Sequence, residues 1–158
     1  MNFRVGFGYD VHQLKEGEPF WLGGIQLEHS KGAVGHSDAD VLIHTICDAL
    51  LGAANLRDIG FHFPDTSSDF KGIDSKILLK KVVELLDEKG WKLGNVDVTL
   101  CLEKPKVNPH VPKMIAKLAG VTGWREDQIS IKATTTEKIG FVGREEGVSC
   151  NAVALIHK

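Results

Sequence analysis

The chain has 158 residues, 42% hydrophobic and 25% charged, the balance of one compact soluble domain with room for a real core. A formal net charge of −2 gives no global attraction for nucleic acid or for an anionic membrane surface. Cys47, Cys101 and Cys150 stand far apart without CxxC spacing, which argues against a disulfide framework or a structural zinc knuckle and fits free thiols in a reducing cytoplasm. The first residues lack a signal peptide's apolar core, and no apolar run approaches the ~18 to 20 residues of a membrane helix.

In chain order, residues 2–9 alternate, with apolar Phe3, Val5, Phe7 and Tyr9, the period of a half-buried strand that stops at Asp10 and His12. "FWLGGIQLE" sets Gly23 and Gly24 between two short apolar runs, a hairpin signal. From Ser37 the period switches: Val41, Leu42, Ile46, Ala49, Leu50 and Ala53 follow helical spacing, with Ser37 as N-cap and Asp40 three residues on. Residues 57–66 read as a loop. A second helix is capped by Asp74 or Ser75, carries Ile77, Leu78, Val82, Leu85 and Leu86, and ends at Gly90. Val96, Val98, Leu100 and Leu102 alternate as a strand. A third helix is expected from about Pro112 to Gly120, then strands near 128–133 and 148–156. The mixture lacks a strict βαβα rhythm. It predicts a single α+β domain over residues 1–158: a mixed sheet with helices packed on one face, a ferredoxin-like variant, plus a small β-hairpin.

Several stretches could carry chemistry. Side chains at i and i+2 of a strand share a side, so Asp10 and His12 can reach one cation, and His44 adds an imidazole from a helix. One carboxylate and two imidazoles make a good zinc shell with a fourth position open. The same residues also fit an ordinary strand end and a helix-face histidine, and no local spacing ties His44 to the pair. "GHSDAD" gathers His36, Ser37, Asp38 and Asp40 at a helix start, which suits an anion site or plain capping equally. Residues 101–144 hold eight basic against four acidic side chains, enough for a small anion or simply a solvated face. In "KATTTEKIGFVGREEG", hydroxyls, glycine N–H groups and Arg144 suit phosphate oxygens, and Glu137 suits a divalent ion; a threonine-rich strand edge with a flexible loop is the alternative. No P-loop pattern and no Ser-His-Asp or Cys-His signature is present.

Taken together and in order, "GYDVHQL", "GHSDADVLIH", "DIGFHFPDT", "KGIDS", "LGNVDVT", "ATTTEKIGFVGREEG" and "AVALI" resemble the 2-C-methyl-D-erythritol 2,4-cyclodiphosphate synthases over nearly the whole chain. The resemblance implies that Asp10, His12 and His44 bind one zinc per chain and that Glu137 binds magnesium or manganese with the substrate diphosphate. Substrate contacts fall on Asp10, Val11 and His12, on His36 and Ser37, and on Asp58, Ile59 and Gly60. Phe63, Pro64 and Asp65 complete the sugar side. Leu102, Lys106, Val107 and Asn108, with Ala133, Thr134 and Thr135, imply a cytidine pocket, and Thr136, Glu137, Phe141 and Arg144 border the phosphates. His36 and Thr135 occupy positions credited with transition-state stabilisation. Glu145 departs from the pattern, since some members have glycine after the arginine.

The activity so implied is metal-dependent intramolecular phosphoryl transfer, releasing CMP from 4-diphosphocytidyl-2-C-methyl-D-erythritol 2-phosphate, by a cytoplasmic enzyme of isoprenoid precursor synthesis. A dimetal phosphoesterase also places D-x-H after a first strand but needs a Gly-Asn-His run, and "LGNVDVT" has no histidine after Asn95. A non-catalytic carrier of an isoprenoid or other anion is the third reading. The terminal "AVALI" is apolar at every position, so a strand there needs cover on both faces, from its own chain or from a partner. The resemblance implies a homotrimer with active sites between subunits. Neither nucleic acid nor membrane is an expected partner.

Overall fold

The structure, a computed structural model, describes residues 2–64, 66, 68 and 71–158. Strand β1 (Phe3–Glu16) shows the expected alternation, but inside out. Phe3, Val5, Phe7 and Tyr9 are more than half exposed, while Gly6, Gly8 and Leu14 are buried on the other side. The strand also runs past Asp10 and His12, which therefore sit within it rather than at its end. Its ladder with β7 (Gly147–His157) continues to Gln13, and pairing with β4 (Lys31–Val34) carries it to Glu16. Backbone pairing is satisfied on both sides of the polar stretch, so the change of side-chain type does not stop it.

Five strands form the main sheet in the order β4-β1-β7-β5-β6, with β5 at Lys92–Cys101 and β6 at Ile129–Thr134. All neighbours are antiparallel except β5 and β6, whose parallel pairing requires the crossover that helix α4 (Val111–Thr122) provides. The hairpin β2 (Phe20–Leu22) and β3 (Ile25–Leu27) turns at Gly23 and Gly24, both with positive φ, as a two-residue primed turn demands. The sheet is mixed, the hairpin is present, and the α+β expectation holds.

Helix α1 (Val41–Ala53) is buried on almost every side. Its N-cap is Asp40, not Ser37. The Asp40 carboxylate accepts the N–H groups of Ile43 at 3.1 Å, Gly23 at 3.0 Å and Gly24 at 2.7 Å. Three N–H donors hold this fully buried group and join the hairpin to the helix start, which the shorter-range capping box could not do. α3 (Ser75–Glu88) is capped by Asp74 and closes at Gly90, as the sequence predicts. α4 runs through Gly120 and stops at left-handed Gly123. Two single helical turns, α2 (Ile59–His62) and α5 (Gly140–Gly143), lie in stretches read as loops, and the short β4 was not anticipated; four residues are too few to show a period.

The helices cover one face of the sheet. The opposite face exposes Phe3, Val5, Phe7, Tyr9, Val11 and Val153. Among the described residues no helix is long and apolar enough to cross a membrane. α1 lies directly on β1 and β7. A Cβ at Gly6 would fall 1.9 Å from the Ala49 carbonyl oxygen, and one at Gly8 2.1 Å from that of Thr45. Only glycine permits this approach. Gly8→Ala is therefore expected to destabilise the fold by about 3 kcal/mol through forced separation of helix and strand. Gly120→Ala, on an open helix surface with nothing within 4 Å, should instead stabilise by about 0.5 kcal/mol. Urea unfolding of both variants checks the contrast; equal midpoints would show that α1 is not held by this contact.

Candidate functional site

Asp10 and His12 project from the helix side of β1, and His44 meets them from the first turn of α1. His12 Nε2 lies 3.1 Å from Asp10 Oδ2, His44 Nδ1 lies 3.2 Å from the same oxygen, and the two nitrogens are 3.2 Å apart. Metal–ligand bonds of ~2.0–2.1 Å in a tetrahedron imply ligand spacings of about 3.3 Å. The three donor atoms thus stand almost where one tetrahedral ion would hold them, and the donor set suits a divalent metal. Among the described residues they are the one group of three or more metal-ligating side chains so gathered. A cavity of about 350 Å³ opens beside them, leaving room for a fourth ligand.

Charge draws the three side chains together. Burial opposes ionisation of Asp10, but hydrogen bonds to His12 and His44 outweigh it and hold the carboxyl well below its ordinary range. Burial likewise opposes protonation of His44, yet its hydrogen bond to Asp10 and that group's charge raise its pKa above 6.5. On the far side of the ring, His44 Nε2 lies 2.9 Å from both Ser37 Oγ and Ser75 Oγ. Ser75 is fully buried, donates its hydroxyl to Asp38 Oδ1, and gives its N–H to Asp38 Oδ2 at 2.9 Å. Ser37, His44 and Asp10 therefore stand in one hydrogen-bonded file, which no spacing in the sequence reveals.

The cavity wall also brings in His36, Ser37, Ile59, Gly60 and Phe63. Asp58 stands just outside it, capping α2 by accepting the Phe61 N–H at 2.9 Å. Val11 points to the opposite sheet face; its N–H is taken by Asp10 Oδ1 at 2.8 Å. Pro64 is exposed outside the wall, and Asp65 lies outside the described residues. Three polar residues were missed as site residues. Asp48 anchors α2 over the cavity by accepting the Ile59 N–H at 2.8 Å, Lys71 adds a cation to the wall, and Ser75 supports His44. Ser75 and Asp38 read as helix caps, and nothing local separates a cap from a support of a distant histidine.

A second pocket, of about 100 Å³, is lined by Leu102, Lys106, Val107, Asn108, Ala133, Thr134 and Thr135. Thr136, Glu137, Phe141 and Arg144 follow on the adjoining loop, outside both walls. Glu137 and Lys138 are both left-handed there, and the Glu137 N–H reaches Thr135 Oγ1 at 3.4 Å. Arg144 pairs with Glu146 at 3.0 and 3.1 Å. Glu145 has a φ of 56°, the conformation glycine favours, and its carboxylate meets Lys104 at 3.0 Å, tying this loop to the second pocket. Lys104, Arg125, Lys132 and Arg144 are all in ion pairs, so much of the basic excess in residues 101–144 is already matched.

The two pockets share no residue. Asp10 pairs with Cys150, Cys150 with Leu100, and Leu100 with Ala133, so three strand spacings, about 14 Å, separate them. Cys150 and Leu100 between them are fully buried. His36 and Thr135 are thus in different pockets of one chain.

Metal binding should depend steeply on pH. A metal ion needs His44 Nδ1 free, whereas the metal-free site favours the charged ring to a pH above 6.5. As pH falls through that raised pKa, affinity should drop by about tenfold per unit, and it should level off above it. Cobalt titrations at stepped pH test this; a flat profile from pH 8 to 6 would contradict it.

The family model described as the YgbB family matches residues 3–157. The chain is 65% identical over its full length to the 2-C-methyl-D-erythritol 2,4-cyclodiphosphate synthase of Bacteroides thetaiotaomicron, covering 99% of that protein. It superposes on the bifunctional IspDF from Campylobacter jejuni with a TM-score of 0.94 and 39% identity, over 98% of this chain and 42% of that one. A CDP-bound 2C-methyl-D-erythritol-2,4-cyclodiphosphate synthase superposes with a TM-score of 0.90 and 34% identity, over 98% and 100% of the two chains. With the match running from the first strand to the last, the chain belongs to the YgbB family, alongside the 2-C-methyl-D-erythritol 2,4-cyclodiphosphate synthases.

Proposed function

We propose that this chain, acting as one domain over residues 1–158, is a cyclodiphosphate synthase of the phosphorus–oxygen lyase type. It converts 4-diphosphocytidyl-2-C-methyl-D-erythritol 2-phosphate into the 2,4-cyclodiphosphate and CMP in the cytoplasm. The Asp10–His12–His44 triangle facing an open cavity is the observation that carries the reading. An oxygen of the 2-phosphate forms a bond to the β-phosphorus, the bond from that phosphorus to the CMP oxygen breaks, and CMP leaves with the electron pair. No water enters.

Asp10, His12 and His44 would hold one zinc per chain, and Glu137 an ion of magnesium or manganese with the diphosphate. When bound, these ions supply positive charge and Lewis acidity to phosphates that otherwise repel. The chain's own residues do the positioning. Asp10, His12, His36 and Ser37 take the phosphate end, with Asp58 to Gly60 and Phe63 to Asp65 around the methylerythritol; Val11, on the opposite sheet face, contributes no side chain there. Leu102, Lys106, Val107, Asn108, Ala133, Thr134 and Thr135 take the cytidine. Thr136, Glu137, Phe141 and Arg144 border the diphosphate, and His36 and Thr135 face the reacting groups. Holding both ends of one molecule in line can replace about 7–11 kcal/mol of barrier. The CDP-bound relative supports the nucleotide end. A dimetal phosphoesterase would need a second cluster of ligands, and a carrier would need no nucleotide pocket.

Buried core between the pockets favours a site in which one substrate uses both across a subunit boundary. We assign the exposed apolar face of β1 and β7 to a homotrimer, its sites shared between neighbours. Two experiments test the proposal. Turnover in oxygen-18 water should leave CMP and its co-product unlabelled; label in either means that water attacked. Inactive His44→Ala chains, co-refolded with an equal amount of chains inactivated by bulky substitutions at Thr134 and Thr135, should regain activity at about a quarter of sites. A trimeric but dead mixture would show that each site lies within one chain.

A further inference from the structure

We propose that Asp38, acting through Ser75, fixes the tautomer of His44, so that Nε2 keeps the ring proton and Nδ1 turns its lone pair to the metal position. The inference rests on the metal site proposed above. It follows from counting hydrogens. The Ser75 hydroxyl has one, and a carboxylate can only accept. That hydrogen is committed to Asp38 Oδ1, and Asp38 is fixed in turn by the Ser75 N–H at 2.9 Å and the Asp40 N–H at 3.1 Å. Toward His44 Nε2, 2.9 Å away, Ser75 Oγ has only a lone pair to offer. Nε2 must therefore be the donor, and in the neutral ring Nδ1 is then bare.

Ser37 sits at the same 2.9 Å but imposes nothing. Its hydroxyl accepts the Ala39 N–H at 3.3 Å and lies 3.5 Å from Ser75 Oγ, and no carboxylate fixes its hydrogen, so by itself it leaves the tautomer of the ring open. Only the arm that ends on a carboxylate has a fixed direction. The same direction argues against Ser37 as a nucleophile activated by His44, although Ser37, His44 and Asp10 stand in file. A base at Nε2 needs a lone pair there, and Ser75 keeps that nitrogen protonated. Asp38 and Ser75 are thus positioning residues, touching neither metal nor substrate. Supports of this kind typically change metal affinity by about 10–100-fold when removed.

The test uses the full-length protein. Cobalt affinity is measured by visible absorption against a competing chelator for wild type, Ser75→Ala, Asp38→Asn and Ser37→Ala. Thermal melts of the metal-free proteins confirm that each is folded. Long-range proton–nitrogen NMR of the zinc-loaded wild type assigns the His44 ring nitrogens. We expect His44 with a proton on Nε2 and zinc on Nδ1. Ser75→Ala should bind cobalt about 10–100-fold more weakly, Asp38→Asn should weaken in the same direction, and Ser37→Ala should lose less than about threefold. The relay is overturned if folded Ser75→Ala and Asp38→Asn bind as wild type does, or if Ser37→Ala loses as much as Ser75→Ala. Should Ser75→Ala fail to fold, Asp38→Asn and the wild-type spectrum decide. A proton on Nδ1 would overturn the relay and favour serine activation. Wild type that binds no cobalt would sink the metal site itself, whereas tight binding unaffected by the Ser75 and Asp38 variants would sink the relay alone.

Discussion

His44 reaches Asp10 and His12 because α1 lies on β1 with no side chain between them. Gly6 and Gly8 meet the carbonyls of Ala49 and Thr45. Four residues of helix rise about 6 Å and two residues of strand about 6.7 Å, so the two backbones stay nearly in step along the contact. One step further along β1 comes Asp10, and one step back along α1 comes Val41, where the helix begins. The space that a preceding turn of helix would have filled is left for side chains. Carboxylate and imidazoles occupy it under partial burial, which strengthens their mutual attraction. The triangle of Asp10, His12 and His44 is thus a consequence of two missing Cβ atoms several ångströms away.

The segment entering α1 divides its two carboxylates between different tasks. Asp40 turns inward to the hairpin and the helix cap, and Asp38 turns to the start of α3. Between them Ala39 is buried and left-handed, with a φ of 57°. An alternating pair in an extended chain would aim both acids the same way. The left-handed residue, at a cost of order 1 kcal/mol, separates them. Burial pushes the Asp40 carboxyl up even though three N–H groups pull it down, so that group serves architecture. Hairpin, α1 and α3 are locked to a common corner, and His44 stands in it.

The long periodic elements were legible from side-chain spacing. α3 shows a clean apolar stripe with a carboxylate cap and a glycine stop, and the Gly23-Gly24 turn specifies its own backbone. Cap choice at α1 was not legible, because Ser37 and Asp40 both fit local rules and the deciding partners, Gly23 and Gly24, come from another element. The inversion of β1 was hidden for a similar reason. Alternation tells which residues share a face, not which face meets the helices, and the glycines carry the packing where a larger residue would have advertised it. The metal triad was half legible. Same-side geometry joins Asp10 to His12, but His44 is 32 residues from His12, and only the order of motifs along the whole chain, read as a resemblance, linked them. Ser75 was seen as one of two possible caps; Asp74 is the cap, and the reading missed what the Ser75 hydroxyl does.

The inversion of β1 has a bearing on assembly. In a lone chain, aromatic residues outward and glycines inward leave Phe3, Val5, Phe7, Tyr9 and Val11 wet, joined by Val153 from β7. A contiguous apolar strip of this kind is rare on a monomer's surface and marks a contact. The inward glycines cannot be exchanged for larger residues without lifting α1 and dispersing Asp10, His12 and His44. Apart from Leu14, the strand's large apolar side chains therefore lie on its outer face. In the proposed trimer that face becomes core, and the same association sets one subunit's metal cavity beside a neighbour's second pocket. Buried Cys150, its thiol pushed up to about 12 by burial, and Leu100 keep the two pockets apart within a chain. The close β1–α1 contact that gathers Asp10, His12 and His44 thus leaves the outer face of β1 to supply the apolar surface for the proposed association.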